Sequence, residues 1–123
     1  MNDTPTSEFD ARMAAVMKSF ADGLPARIEA LADSFSRVAV GGDDQLEALV
    51  SLQAVAHKLA GSAGTFGFPE ISETAGSMEV ICREAVDAYP AEINGHVDAL
   101  RIALQPLING AAADIVTDRY FPD

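Results

Sequence analysis

The chain has 123 residues, 49% of them hydrophobic and 22% charged, which fits one globular domain with a single modest core. With 8 basic and 19 acidic residues the formal net charge is -11, so we expect neither a nucleic acid nor a membrane surface as a partner. Cys82 is the only cysteine, which excludes an internal disulfide. Together with the absence of a leader pattern and of a long apolar run, it predicts a cytoplasmic protein.

The first forty residues carry apolar positions at helical spacing, and they predict two helices rather than one. The predicted apolar faces consist of Phe9, Met13, Val16 and Phe20 in the first helix, and of Ile28, Leu31, Phe35 and Val38 in the second. Gly23 is expected to end the first, short helix, and Pro25 to begin the second, since proline is tolerated in a first helical turn. Gly41 and Gly42 are expected to end the second helix.

Three further helices are predicted in the rest of the chain. The third begins near Asp44, the fourth begins at Pro69 and ends before Tyr89, and the last begins near Ile93 and is expected to kink at Pro106. Their inward faces are predicted to comprise Leu49, Leu52, Ala56, Leu59 and Ala63, then Ile71, Ala75, Met78 and Cys82, then Ile93, Val97, Leu100, Leu104, Leu107, Ala111 and Ile115.

No segment of the sequence shows the alternation of a strand, so the pattern predicts an antiparallel helical bundle with a short leading helix. We expect a single domain over residues 1–123 with an ordered core of about residues 7–119. The sequence contains no phosphate-binding loop, no nucleophile-elbow motif and no zinc motif, which argues against nucleotide, hydrolase and zinc chemistry. His96, one of only two histidines, falls at the boundary of the last apolar stripe and is interpreted as a bystander.

His57 has a different setting, because it points about 130° away from the inward direction of the third helix. Its neighbours one or two turns away on the outer face are small, apart from one glutamine: they are Gln53, Ala54, Ala60, Gly61 and Gly64. A glycine in a helix costs roughly 1 kcal/mol relative to alanine, and such a cost beside an exposed ring indicates a functional site. Small neighbours would let the active site of a partner protein close over the imidazole.

The same face continues toward the start of the third helix with Leu46 and Val50, which add exposed apolar surface suited to transient docking. A neutral imidazole is a competent nucleophile near pH 7. Lys58, the adjacent residue, could supply positive charge to a phosphoryl group bound there. The alternative interpretation is an exposed histidine followed by helix-ending glycines without a function.

The segment His57-Lys58-Leu59-Ala60-Gly61-Ser62-Ala63-Gly64-Thr65-Phe66-Gly67-Phe68, with Pro69-Glu70-Ile71-Ser72, Ala75 and Met78-Glu79 after it, resembles the signature of histidine-containing phosphotransfer (HPt) domains. These are modules of multistep two-component phosphorelays. The match is tight over roughly residues 53–79, and the helix order fits the family across nearly the whole chain. The resemblance implies an all-α fold, an antiparallel four-helix bundle with an additional short N-terminal helix. His57 matches the solvent-facing histidine that accepts a phosphoryl group from an aspartyl phosphate of one receiver domain and passes it to another.

The resemblance also implies roles for the residues around His57. Gly61 matches a glycine that keeps one side of the ring open, and Gln53 lies where a polar side chain contacts the imidazole or the phosphate. The family commonly has lysine or arginine three residues after the histidine, where this chain has Ala60. With Lys58 as the nearest cation, we expect transfer to be retained but slower, or the phosphohistidine to be more labile. The outer ring nitrogen, Nε2, is expected to carry the phosphoryl group.

The resemblance implies that the partners are receiver domains of response regulators or hybrid histidine kinases. Because the receiver domain holds the Mg²⁺, we expect this chain to need no cofactor or metal. The chain is expected to be a phosphocarrier without kinase activity of its own. The docking face is predicted to consist of Leu46, Val50, Ala54, Ala60, Gly61 and Gly64. A monomer is expected. Two rivals remain: a docking module that is not phosphorylated because Ala60 replaces the cation, and a metal- or ligand-binding bundle, for which the sequence lacks a Glu-x-x-His pair.

Overall fold

Four α-helices make up residues 5–109, the part of the chain that the computed structural model describes. They are α1 (Pro5–Val40), α2 (Gln45–Thr65), α3 (Pro69–Ala88) and α4 (Ile93–Ile108). No strand occurs within these residues, so the prediction of an all-helical fold is confirmed for this part of the chain. None of the described helices is long and apolar enough to cross a membrane.

α1 is one continuous helix, and the predicted break at Gly23 is wrong. Pro25 lies inside α1 with an exposed side chain, and it costs about 3 kcal/mol relative to alanine because it removes one helical hydrogen bond. Leu24 and Ile28, on either side of it, are 1% and 8% exposed, and burial of each contributes about 2 kcal/mol. The buried stripe runs in phase from one side of the proline to the other, so tertiary packing offsets the local cost. A separate N-terminal helix is not confirmed.

The apolar stripe of α1 is buried only from Phe20 onward. The ring of Phe20 packs 5.0 Å from that of Phe66 and 5.5 Å from that of Phe68, at the turn that joins α2 to α3. Earlier in α1, Phe9 and Val16 are 60% and 44% exposed, and Met13 is 38% exposed. The prediction that these three residues face the core is therefore wrong, because the turn that covers Phe20 leaves them uncovered.

The core lies between α2 and its neighbours, since α2 packs on α1 and α3, and α4 packs on α1 and α3. The predicted inward residues of α2, α3 and α4 are buried as far as the structure describes them, except Ile93, which is half-buried. Pro106 lies inside α4, which ends at Ile108. The predicted extension of the last helix to Ala111 and Ile115, and the end of the expected core near residue 119, lie outside the described residues.

Candidate functional site

The imidazole of His57 stands on the outer face of α2, in the middle of the helix. Ala56, one residue before it, and Leu59, two residues after it, are 0% and 4% exposed and fix the orientation of α2 on the core. The His57 side chain is consequently 74% exposed, in agreement with the helical phase read from the sequence.

One nitrogen of this ring is held by a carboxylate from the neighbouring helix. His57 Nδ1 lies 2.9 Å from Glu79 Oε2, and the Glu79 side chain, on α3, is only 17% exposed. An ionised carboxylate accepts hydrogen bonds but cannot donate them, so Nδ1 must carry the proton. In the neutral ring Nε2 then keeps its lone pair, and the exposed imidazole presents a nucleophilic nitrogen with a fixed tautomer.

The same carboxylate oxygen binds a cation from its own helix. Arg83, one turn after Glu79 in α3, places Nη2 3.1 Å from Oε2 of Glu79, and its side chain is 54% exposed. A row of donor, acceptor and donor therefore crosses the α2–α3 boundary, formed by His57, Glu79 and Arg83. This row is called the His–Glu–Arg row below.

The sequence alone does not reveal the role of this row. Glu79 belongs to the segment that resembles the family signature, but that segment indicates no partner for it and does not include Arg83. The spacing of a glutamate four residues before an arginine on one helix does predict the Glu79–Arg83 pair. The bond to His57 depends on how α2 and α3 are aligned, which no local pattern reveals.

An open cleft of about 550 Å³ adjoins His57 on the side nearer the start of α2. It is lined by Val50, Gln53, Ala54, Val55, His57, Lys58 and Glu79. Two of the predicted docking residues, Val50 and Ala54, thus border the cleft, and Leu46 lies outside it with a 41% exposed side chain. Gln53 is half-buried and lines the cleft, but no hydrogen bond joins it to the imidazole within the described chain.

Lys58 is exposed, and its side chain forms no hydrogen bond or ion pair among residues 8–109. It borders the cleft beside His57 and also a smaller one against α1, where Arg27 lines the wall with it. Lys58 is thus on the α1 side of the imidazole, whereas Arg83 is on the α3 side. The role predicted for Lys58 as support for a phosphoryl group stays a prediction.

The small residues after His57 have two different explanations. A Cβ added at Gly64 would approach Ser72 Oγ to 3.2 Å, so contact between α2 and α3 accounts for that glycine. Ala60 is half-buried on the same boundary, and its carbonyl oxygen accepts a hydrogen bond of 2.8 Å from the Ser72 hydroxyl. A Cβ added at Gly61 would meet nothing within 4 Å. Packing inside the chain therefore does not explain Gly61, which leaves access by a partner as the reason proposed for it.

Cys82 lies in the core of α3, three residues after Glu79, and is completely buried. Burial, and secondarily the negative charge of Glu79, raises the pKa of the Cys82 thiol from 9.0 to about 12. The thiol is therefore protonated at neutral pH and is no candidate nucleophile.

We expect Cys82 to resist alkylation in the folded protein. A pKa higher by three units lowers the thiolate fraction about a thousandfold near pH 8, so iodoacetamide should react far more slowly than with the urea-unfolded chain, which is the control. Because only the unfolded thiol ionises between pH 9 and 12, the raised pKa of Cys82 should also make the free energy of unfolding fall as the pH rises through this range. Equal alkylation rates for folded and unfolded protein would contradict the burial of Cys82.

The second histidine, His96, is half-buried in α4, and its Nδ1 atom is buried without a hydrogen-bond partner. Nothing around it suggests chemistry, in keeping with its interpretation as a bystander. Within residues 5–109, no three His, Cys, Asp or Glu side chains come together in an arrangement that could hold a metal ion.

Comparison with protein families identifies one match: the family model described as Hpt domain matches residues 15–110. The matched segment includes all of α2, α3 and α4, as well as α1 from residue 15 onward. It contains the whole His–Glu–Arg row. Comparison with curated proteins and with solved structures finds no match.

Proposed function

The chain belongs to the Hpt domain family, whose members carry phosphoryl groups on histidine in two-component signalling and are not kinases, and we propose that His57 is the phosphate-carrying residue here. In this proposal His57 accepts the phosphoryl group from an aspartyl phosphate of one receiver domain and passes it to another. The observation that carries the proposal is the bond between Nδ1 of the 74% exposed His57 side chain and Glu79, because in the neutral ring this bond leaves the lone pair on Nε2.

The proposed reaction needs no proton transfer. The Nε2 lone pair attacks phosphorus while the bond between phosphorus and the aspartyl oxygen breaks, so the aspartate leaves as a carboxylate. The ring becomes a phosphoimidazolium that keeps its Nδ1 proton, and Glu79 faces the positive charge that develops on the ring. The reverse reaction regenerates neutral His57. Phosphoryl transfer depends mainly on such positioning and charge stabilisation.

The receiver domain is expected to bring the Mg²⁺ that the reaction requires, and we propose no metal or cofactor for this chain. The proposed docking face consists of Leu46, Val50, Ala54, Ala60, Gly61 and Gly64. The protein has a net charge of -11, and receivers hold an acidic pocket, so long-range attraction cannot bring the two together. Apolar contact around Val50, which is 51% exposed, is the proposed source of affinity.

We expect Val50→Asp to slow phosphoryl transfer from a receiver at least about tenfold, because it adds a negative charge to an apolar contact with an acidic partner. The side chain is half-exposed on α2, so circular dichroism should show an intact bundle. Ile102→Asp is the control, since Ile102 is 73% exposed on α4, which does not carry the site.

Phosphorylation by phosphoramidate, a small donor that needs no docking surface, separates docking from chemistry in this experiment. Val50→Asp should react with phosphoramidate at the rate of the wild type. If Val50→Asp instead accepts the phosphoryl group from a receiver as fast as the wild type and Ile102→Asp do, the docking face lies elsewhere on the molecule.

The proposed function is tested by incubating the protein with a panel of receiver domains that carry labelled aspartyl phosphate. We expect label on this chain that is labile in acid and stable in alkali, as for a phosphorus–nitrogen bond, and mass spectrometry should locate it on His57. Absence of label with every receiver, although at least one receiver binds, would overturn the proposal. That outcome would favour the docking module that Ala60 suggests.

A further inference from the structure

We propose that Arg83 is the cation that binds the phosphoryl group on His57, the task for which the sequence offered only Lys58. This inference rests on the proposed function, because it concerns the phosphorylated form of the same histidine. It assigns Arg83 a direct contact with the phosphoryl oxygens in addition to its bond with Glu79.

A phosphoryl group on Nε2 creates a charge problem at this site. It brings about two negative charges, while the single positive charge of the phosphoimidazolium ring is already paired with the Glu79 carboxylate. Ala60, one turn after His57, is apolar and supplies no compensation. Nearby positive charge must therefore come from another position if the phosphorylated form is to be stabilised.

Arg83 already lies close to the imidazole of His57. His57 Nδ1 and Arg83 Nη2 lie 2.9 Å and 3.1 Å from the same oxygen of Glu79, so the two nitrogens are at most about 6 Å apart. A guanidinium has five N–H donors in a planar fork and pairs with two phosphate oxygens at once. Arg83 can accordingly keep one bond to Glu79 while its remaining donors turn to the phosphoryl group, and its 54% exposure leaves room for this movement.

Lys58 is less well placed for the same task. It is about 100° from His57 around α2, on the side of α1, and no contact among the described residues fixes its ammonium group. Ordering its flexible stem would cost conformational entropy that Arg83, already paired with Glu79, has in part lost.

The test is the equilibrium constant for phosphoryl exchange between one receiver and this protein, measured from the labelled fractions of both. An equilibrium constant between free species does not depend on how the two proteins dock, so it reports only the stability of the phosphorylated states. Charge-assisted hydrogen bonds contribute enough for about a tenfold change. We expect Arg83→Ala to lower the constant about tenfold, Arg83→Lys to lower it less, and Lys58→Ala to change it less than about threefold.

Two further measurements separate direct contact from an effect through Glu79. The ¹⁵N shifts of the His57 ring report its tautomer, and Arg83→Ala should leave the Nδ1-protonated form unchanged in the unphosphorylated protein. Adding Ala60→Lys to Arg83→Ala should restore part of the lost stability, because it returns a positive charge to the neighbourhood of the phosphoryl group.

The outcomes distinguish this inference from the proposed function. If the wild type accepts no label, the proposed function fails. If the wild type is labelled and Arg83→Ala has the wild-type equilibrium constant, or Lys58→Ala has the larger effect, only the role of Arg83 is overturned. A change of tautomer in Arg83→Ala that accompanies the lowered constant would also overturn it, since Arg83 would then act only by positioning Glu79.

Discussion

His57→Gln should abolish phosphoryl acceptance, reducing the initial rate to less than about a hundredth of the wild-type rate. An amide nitrogen has no available lone pair for attack on phosphorus, whereas Nε2 of the imidazole does. Glutamine is also polar and of similar length, and the side chain it replaces is 74% exposed, so the thermal stability of the bundle should change little. The loss would therefore report chemistry rather than unfolding.

His96→Gln is the matched control for that experiment, because His96 is the only other histidine of the chain and is half-buried in α4. It should accept label at the wild-type rate. Both a receiver and phosphoramidate should be used as donors, and His57→Gln should fail with each of them. Label retained by His57→Gln and lost by His96→Gln would move the acceptor to α4.

The outward position of His57 could be predicted because it follows from local periodicity. The buried positions Leu52, Ala56 and Leu59 fix the phase of α2, and His57, about 130° from their direction, faces away from the core. The same reasoning gave the buried faces of α3 and of the described part of α4. Periodicity of this kind needs no knowledge of how the helices are arranged.

Two features of α1 could not be predicted in this way. Gly23 and Pro25 form a local stop signal, and only the burial of Leu24 and Ile28 on either side shows that the helix continues through it. The stripe that begins at Phe9 looks as apolar as the stripe that follows Phe20. Whether such a stripe is buried depends on which helices reach it, and that is decided by tertiary structure.

The His–Glu–Arg row shows the same limit at the candidate site. Glu79 follows His57 by 22 residues, across the turn between α2 and α3. The two side chains meet because Ala75 and Met78 set the rotation of α3 on the core while α2 is fixed by its own buried face. Their alignment is a property of the packed pair of helices.

We expect Glu79→Ala to slow phosphorylation of His57 by at least about tenfold. A hydrogen bond to a charged group contributes about 1.5–3 kcal/mol, and the bond from Nδ1 to the Glu79 carboxylate becomes a bond between two charged groups when the ring becomes a phosphoimidazolium. Without Glu79 the ring also distributes between two tautomers, one of which has its proton on Nε2 and cannot attack. Initial rates with phosphoramidate and with a receiver should both fall.

The comparison of Glu79→Gln with Glu79→Ala divides that effect into two parts. The glutamine oxygen can still accept the Nδ1 hydrogen bond, so the ¹⁵N shifts of the ring should show the wild-type tautomer, but no negative charge faces the developing imidazolium. A rate between those of Glu79→Ala and the wild type is therefore expected. Glu84→Gln, an exposed substitution on α3 with the same change in net charge, should have no effect.

A Glu79→Gln rate equal to that of the wild type would mean that Glu79 fixes the tautomer and contributes no charge stabilisation. A wild-type rate for Glu79→Ala would remove Glu79 from the mechanism, and the exposed ring would then have to act unaided.

The reactivity of Cys82 supplies an internal check, because the charge of Glu79 contributes to the raised pKa of the Cys82 thiol. Either substitution should lower that pKa somewhat, while burial, the larger cause, keeps it above 9.0. A Glu79 variant with slower phosphorylation and a somewhat lower Cys82 pKa has lost the charge of Glu79 while its core remains packed. Its slower phosphorylation can then be assigned to the loss of the carboxylate.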